Sequence, residues 1–78
     1  MTKQAYNTLA AELTEIEART GVYLFDENVD AENALDAGVE DDTAAYWAMM
    51  IANAQMTAGF RAEEAGLDIN ALIGRTIY

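Results

Sequence analysis

TAAYWAMMIANAQMTAGF, residues 43–60, contains no charged residue, and its reading decides the fold. It holds no Pro and a single late Gly, which favours an unbroken helix. The helix is expected to run from about Thr43 to Ala65 and to stop at Gly66. At 1.5 Å per residue it would be roughly 35 Å long. A compact chain of this size has a radius of gyration of about 11–12 Å, so such a helix crosses the whole molecule. Tyr46, Met49, Asn53, Met56 and Phe60 form a stripe of large residues along it. Trp47, Ile51, Ala54 and Ala58 form a second stripe. Ala48, Ala52, Gln55 and Gly59 form a third.

A helix that is apolar all round is normally covered all round. The rest of this chain offers few apolar residues to cover three stripes. The large stripe, with Trp47, reads most simply as core. One stripe is nevertheless expected to meet a second copy or a partner. Asn53 would then fix the register, as a lone polar residue does in coiled coils. The candidate interface is therefore Tyr46, Met49, Asn53, Met56 and Phe60, in a homodimer or against another protein. A membrane span is not expected, because Asn53, Gln55, Thr57 and Gly59 interrupt the stretch and no basic flank orients it.

Directly before this helix the character of the chain reverses. Asp26, Glu27, Asp30, Glu32, Asp36, Glu40, Asp41 and Asp42 include no base among them, and no Lys or Arg occurs from Thr20 to Phe60. Asp30 is expected to cap a short helix over residues 31–37, with Val29 and Ala34 as a hydrophobic staple and Gly38 as the stop. Asp41 and Asp42 would sit at the positive end of the long helix. Asp26-x-Asn28-x-Asp30 opens like a calcium loop, but Ala31 and Ala37 stand where that loop needs Gly and Glu. A cap and a turn are the plainer reading, and no metal or other cofactor is expected. Acidic runs usually form a solvated face. An ordinary surface mixes both signs, however, and one-sided charge steers a basic partner.

The flanking segments complete the fold class. Tyr6, Leu9, Leu13 and Ile16 line one face of a helix over residues 2–20. Thr2 is its expected cap, Glu15–Arg19 its ion pair, and Gly21 its stop, with Val22 folding back onto Ile16. Val22–Phe25 reads as a short strand or, preferably, as an extended plug in the core, since one or two strands are rarely stable by themselves. Asp68 caps a last helix bearing Ile69, Leu72 and Ile73, and an extended tail follows Gly74. The expectation is a single all-α domain over residues 1–78. It has three to four helices around one long central helix, with an extended or strand-like segment at 22–25.

Seventy-eight residues bury a marginal core, and small folds often add a staple or a partner subunit. The chain has no Cys, His, Ser or Pro and one Lys. Ser or Cys nucleophiles with a His base are therefore excluded. So are His- or Cys-ligated zinc and thiolate clusters, and a carrier domain would need a Ser. Carboxylates, Tyr, Thr and Arg remain, which need a cleft and shifted pKa values to do acid–base work. No enzymatic activity is expected. The net charge of −10 leaves no basic footprint for nucleic acid and none for an anionic membrane. Met1-Thr2-Lys3 leads into a polar helix rather than an apolar signal, so the cytoplasm is the default location.

In size, acidity and missing residue types the chain resembles the small inhibitors that phages direct against bacterial defences, the anti-CRISPR and anti-restriction proteins. The likeness lies in overall composition, so no residue role is carried over. It implies a non-enzymatic protein in the host cytoplasm, with a DNA-like charge distribution. Such a protein blocks a nuclease or surveillance complex where that complex would bind DNA. The eight acids from Asp26 to Asp42 would then dock on a Lys/Arg-rich protein surface. The alternative is a helical oligomerisation module or antitoxin-like adaptor that uses the apolar face of the long helix.

Overall fold

A computed structural model describes residues 2–78. The cap expected at Thr2 rests on a side chain outside the described set. Four helices follow in order, α1 (Thr2–Thr20), α2 (Glu27–Asp36), α3 (Ala44–Glu64) and α4 (Ile69–Ile73). The described residues form no strand. α1, α2 and α4 all pack against α3, and α4 also touches α1. At 21 residues, α3 is about 31 Å long, close to the 34 Å longest extent of the molecule.

α1 buries the four residues that its periodicity singles out, Tyr6, Leu9, Leu13 and Ile16. Its stop is simpler than a Schellman motif. The Gly21 N–H donates to the Glu17 carbonyl at 2.8 Å with φ +73°, the single bond of an αL stop. The Val22 N–H goes instead to the Thr20 hydroxyl oxygen at 3.3 Å. Residues 21–26 then run without regular structure. They are held by a carboxylate rather than by a second strand. Glu17 Oε1 accepts the N–H groups of Leu24 and Phe25 at 2.8 and 2.5 Å. Leu24, 0 % exposed, fills the core between the helices.

α2 begins one turn earlier than its sequence signals suggest. Asp26 is the cap, with its Oδ1 accepting the Val29 N–H at 3.2 Å, and Asp30 lies inside the helix. Two Asx residues four apart compete for the same job, and the winner is the one that lets Asp30 and Ala34 share the inward face. Asp26-x-Asn28-x-Asp30 is thus the first turn of a helix and not a loop. α2 and α3 both end in Schellman motifs. At the end of α3 the Leu67 N–H reaches the Ala62 carbonyl at 2.8 Å and the Gly66 N–H reaches Glu63 at 3.0 Å. That closure needs the left-handed φ of +75° at Gly66, and it turns Leu67 onto the core.

The buried face of α3 is Tyr46, Met50, Ala54, Ala58 and Ala62, spaced by four throughout. This differs from the expected stripes. Met50 belonged to none of them, and Ala54 and Ala58 outrank the larger Met56 and Phe60. Small residues face inward where α1, with its buried Tyr6, Leu9, Leu13 and Ile16, packs against α3 and supplies large side chains to the same core. The helix is capped by Thr43, whose Oγ1 accepts the Tyr46 N–H at 3.1 Å.

Candidate functional site

The acidic segment folds into α2 with its cap Asp26 and the loop 37–43 that leads to α3. Glu27, Glu32, Asp36, Glu40, Asp41 and Asp42 are exposed, and Asp26 is half-buried. No basic side chain lies among them in sequence. Two of the acids have structural duties as well. Asp26 caps α2, and the Val29 N–H together with the Tyr23 hydroxyl holds its carboxyl below the usual range. Asp42 adopts φ +60°, a left-handed conformation that Asp tolerates better than most residues. Its Oδ1 accepts the Trp47 indole N–H at 2.9 Å.

Asp30 corrects the docking set. Its side chain is 0 % exposed and cannot meet a partner. Oδ2 accepts the Tyr6 hydroxyl at 2.9 Å, and among the described residues nothing donates to Oδ1. Burial raises its pKa from 3.8 to about 6, against the lowering effect of the Tyr6 bond, and the charges of Asp26 and Glu27 add to the rise. Arg61 opposes them from α3, with its guanidinium stacked 4.8 Å from the Tyr23 ring centre. Burial and the adjacent carboxylate also push the Tyr6 hydroxyl well above its ordinary value. Asn53 completes this seam between α2 and α3 by donating to the Asp30 carbonyl at 3.0 Å. Its amide ties two helices of one chain together, a different task from fixing the register of an interface. Tyr46 likewise points into the core. Of the five expected interface residues, Met56 and Phe60 are over half exposed and Met49 is half-buried.

A second cluster gathers around the tail. Asn70 Oδ1 accepts the N–H groups of Ile77 and Tyr78 at 2.8 and 3.1 Å, and its amide donates to the Tyr78 carbonyl. Tyr78 lies over Gly59, packs edge-on against Phe60 at 5.7 Å, and donates to Glu63 at 3.0 Å. Glu12 on α1 pairs with both terminal nitrogens of Arg75. A methyl at Gly59 would fall inside the Tyr78 ring. Gly59→Ala is therefore expected to detach residues 75–78. Global stability should change by less than about 1 kcal/mol, because the helix interior gains from Ala what the tail loses. The check is the Tyr78 ring resonances, which should move to solvent-exposed values. Unmoved resonances would contradict the packing described.

Two surface features remain. Met56, Phe60, Ala52, Gln55, Ile77 and Tyr78 line an open apolar groove of about 340 Å³. A smaller one of about 200 Å³ holds Glu12 and Glu15. Glu12 is paired with Arg75, which holds its carboxyl below the usual range, the wrong direction for a general acid. Glu15 lies 3.9 Å from Arg19. Among the described residues no three acids converge on a metal position, and no helix is long and apolar enough to cross a membrane. No protein-family model, curated protein or solved structure matches this chain.

Proposed function

We infer that the protein is a non-enzymatic binding protein. Its exposed acids from Glu27 to Asp42 dock on a Lys/Arg-rich surface of another protein, in the place that nucleic acid would occupy there. The observation that carries this reading is the run of six exposed carboxylates on α2 and the loop that follows it, uninterrupted by any base. Helical supports hold several of these charges in place, so little ordering cost attends docking. Concentrated one-sided charge speeds association with a basic surface. The reading agrees with the resemblance to small acidic phage inhibitors of CRISPR and restriction complexes. The ion-paired state of Glu12 argues against a carboxylate enzyme at the groove beside it.

The test is competition for DNA on CRISPR surveillance complexes and restriction nucleases. The wild-type chain should displace DNA from one of them, and less so as salt rises. A Glu32→Lys, Glu40→Lys, Asp41→Lys variant should lose that displacement by about a hundredfold or more while its circular dichroism stays unchanged. Asp30 and Asp42 are left out of the reversal, since one is buried and the other holds Trp47. Equal displacement by the variant at the same salt overturns the reading.

A further inference from the structure

α2 is held to the rest of the molecule by little apolar surface. Ala34 is buried, Ala31 and Val29 are partly buried, and Leu35 is half exposed. The largest side chain that the helix buries completely is that of Asp30. Among the described residues α2 packs along one helix, α3, and α1 reaches Asp30 with the Tyr6 hydroxyl. Two hydrogen bonds at this one residue therefore do much of the joining. Tyr6 donates to Asp30 Oδ2, and the Asn53 amide donates to the Asp30 carbonyl. We propose that α2 is a proton-gated flap: it stays docked while the Asp30 carboxyl is neutral, and ionisation lets residues 26–42 open as a unit while α1, α3 and α4 remain folded.

Three observations make residues 26–42 separable. The chain is pinned on both sides of them, by Leu24 in the core just before and by the Thr43 cap of α3 just after. The body left behind keeps the packing of α1 and α4 on α3. The segment itself has little reason to stay helical once it leaves. At ten residues α2 is too short to be a helix alone. Glu32 and Asp36 are like charges four apart, and no base lies in the last turn to meet the negative end of the helix.

The gate is the buried carboxyl. Among the described residues nothing donates to its Oδ1, so an ionised Asp30 is better served by water than by its docked surroundings. The charged and titratable groups that face it are Tyr6 from α1, Asp26 and Glu27 from the start of α2, and Arg61 from α3. Two acids against one base, with desolvation added, favour the neutral form in the docked state, where the carboxyl is raised from 3.8 to about 6. The docked form thus binds more protons between those values. Docking is fully supported below about pH 4 and weakens as the pH rises through 6. Asp26 acts with the opposite sign, because its carboxyl is held low in the docked cap, and its effect falls mostly below pH 4. In the open form Asp30 joins Glu27, Glu32 and Asp36 in water. The device belongs to the chain itself and holds whether or not these acids meet a basic partner.

Hydrogen exchange of the wild-type chain, read amide by amide and corrected for the intrinsic rate at each pH, provides the test. Amides from Ala31 to Asp36 should share one opening, with a smaller urea dependence than the opening that exposes Leu13 and Ala58. The open population of α2 should rise by about thirtyfold or more between pH 4 and 7.5. The rise should persist in about 0.5 M NaCl, which screens exposed acids far more than a buried one. Asp30→Asn keeps the shape and removes the titration, so its α2 opening should change by less than about threefold over the same range. Should that variant fold poorly, the wild-type urea and salt responses still decide. Amides of α2 that exchange at pH 7.5 with the same urea dependence as Leu13 and Ala58 overturn the proposal. So does an α2 opening indifferent to pH. A rise that salt abolishes, or that Asp30→Asn retains, overturns it too and assigns the opening to repulsion among the exposed acids.

Discussion

Stability is expected to fall as the pH rises from about 4 to about 7, by about 3 kcal/mol from Asp30 alone. This carboxyl titrates near 3.8 when unfolded and near 6 when folded. Between those values the folded chain binds more protons, so raising the pH favours unfolding. Above about 6 the full penalty of a buried charge is present. Two groups act with the opposite sign. The Val29 N–H holds the Asp26 carboxyl low, and Arg75 does the same for Glu12. Their contributions are present above the ordinary values of 3.8 and 4.5 and are lost as the pH falls below them. Maximum stability should therefore lie at about pH 4–5, on the acid side of the usual range of about 5–8. Relief of self-repulsion in a chain of −10 works in the same direction. Urea midpoints across this range provide the measurement. Asp30→Asn should flatten the slope between pH 4 and 7. Tyr6→Phe should cost about 2–3 kcal/mol at pH 7, because it strips the buried carboxylate of its one bonded donor, and less at pH 4.5. A midpoint that climbs steadily to pH 7 in both wild type and Asp30→Asn would show that the carboxyl is not buried as described.

Leu24→Ala is the second large effect, at about 2–5 kcal/mol. A single-domain protein has about 5–15 kcal/mol in all, and a 78-residue chain stands toward the low end. The variant should therefore sit near its unfolding transition at 37 °C. Leu24 belongs to no helix or strand, so its burial is not a by-product of a regular element. It enters the core because Glu17 on α1 takes the two N–H groups that an extended segment would otherwise leave without partners, and an unmet buried N–H is expensive. Leu35→Ala, half exposed on α2, is the control and should stay within about 0.5 kcal/mol. Equal denaturation midpoints for the two variants would remove Leu24 from the core.

These effects bear on the functional reading through the scaffold. Asp30 and Asn53 join α2 to α3, and α2 carries Glu27, Glu32 and Asp36. Loss of the Tyr6–Asp30 bond should therefore loosen the acidic face before it unfolds the molecule, and binding should weaken at neutral pH in Tyr6→Phe without any change in surface charge.

Several features could be read from residue order because each is decided within a few positions of itself. Asp68 caps because its side chain reaches an N–H three residues on. Gly38 and Gly66 close helices because a left-handed residue is needed there. The α1 stripe is legible because polar residues separate Tyr6, Leu9, Leu13 and Ile16 and give the period contrast. Across residues 43–60 that contrast is missing. With no charge to mark an outside, side-chain size alone made the stripe with Met56 and Phe60 read as core, and the assignment of Met50 inward and Met56 outward waited on where α1 and α2 come to rest. The same holds at Asp30. An acid four residues after another Asx reads locally as a cap or a solvated charge. Its burial depends on Tyr6, twenty-four residues earlier in the chain, which meets it only after α2 has packed. Local hydrogen bonding and periodicity thus settle where α3 and α4 begin and where α1, α2 and α3 end, but not where α2 begins. Which of their faces turn inward is set by contacts between distant segments, and those determine the extent of the acidic surface.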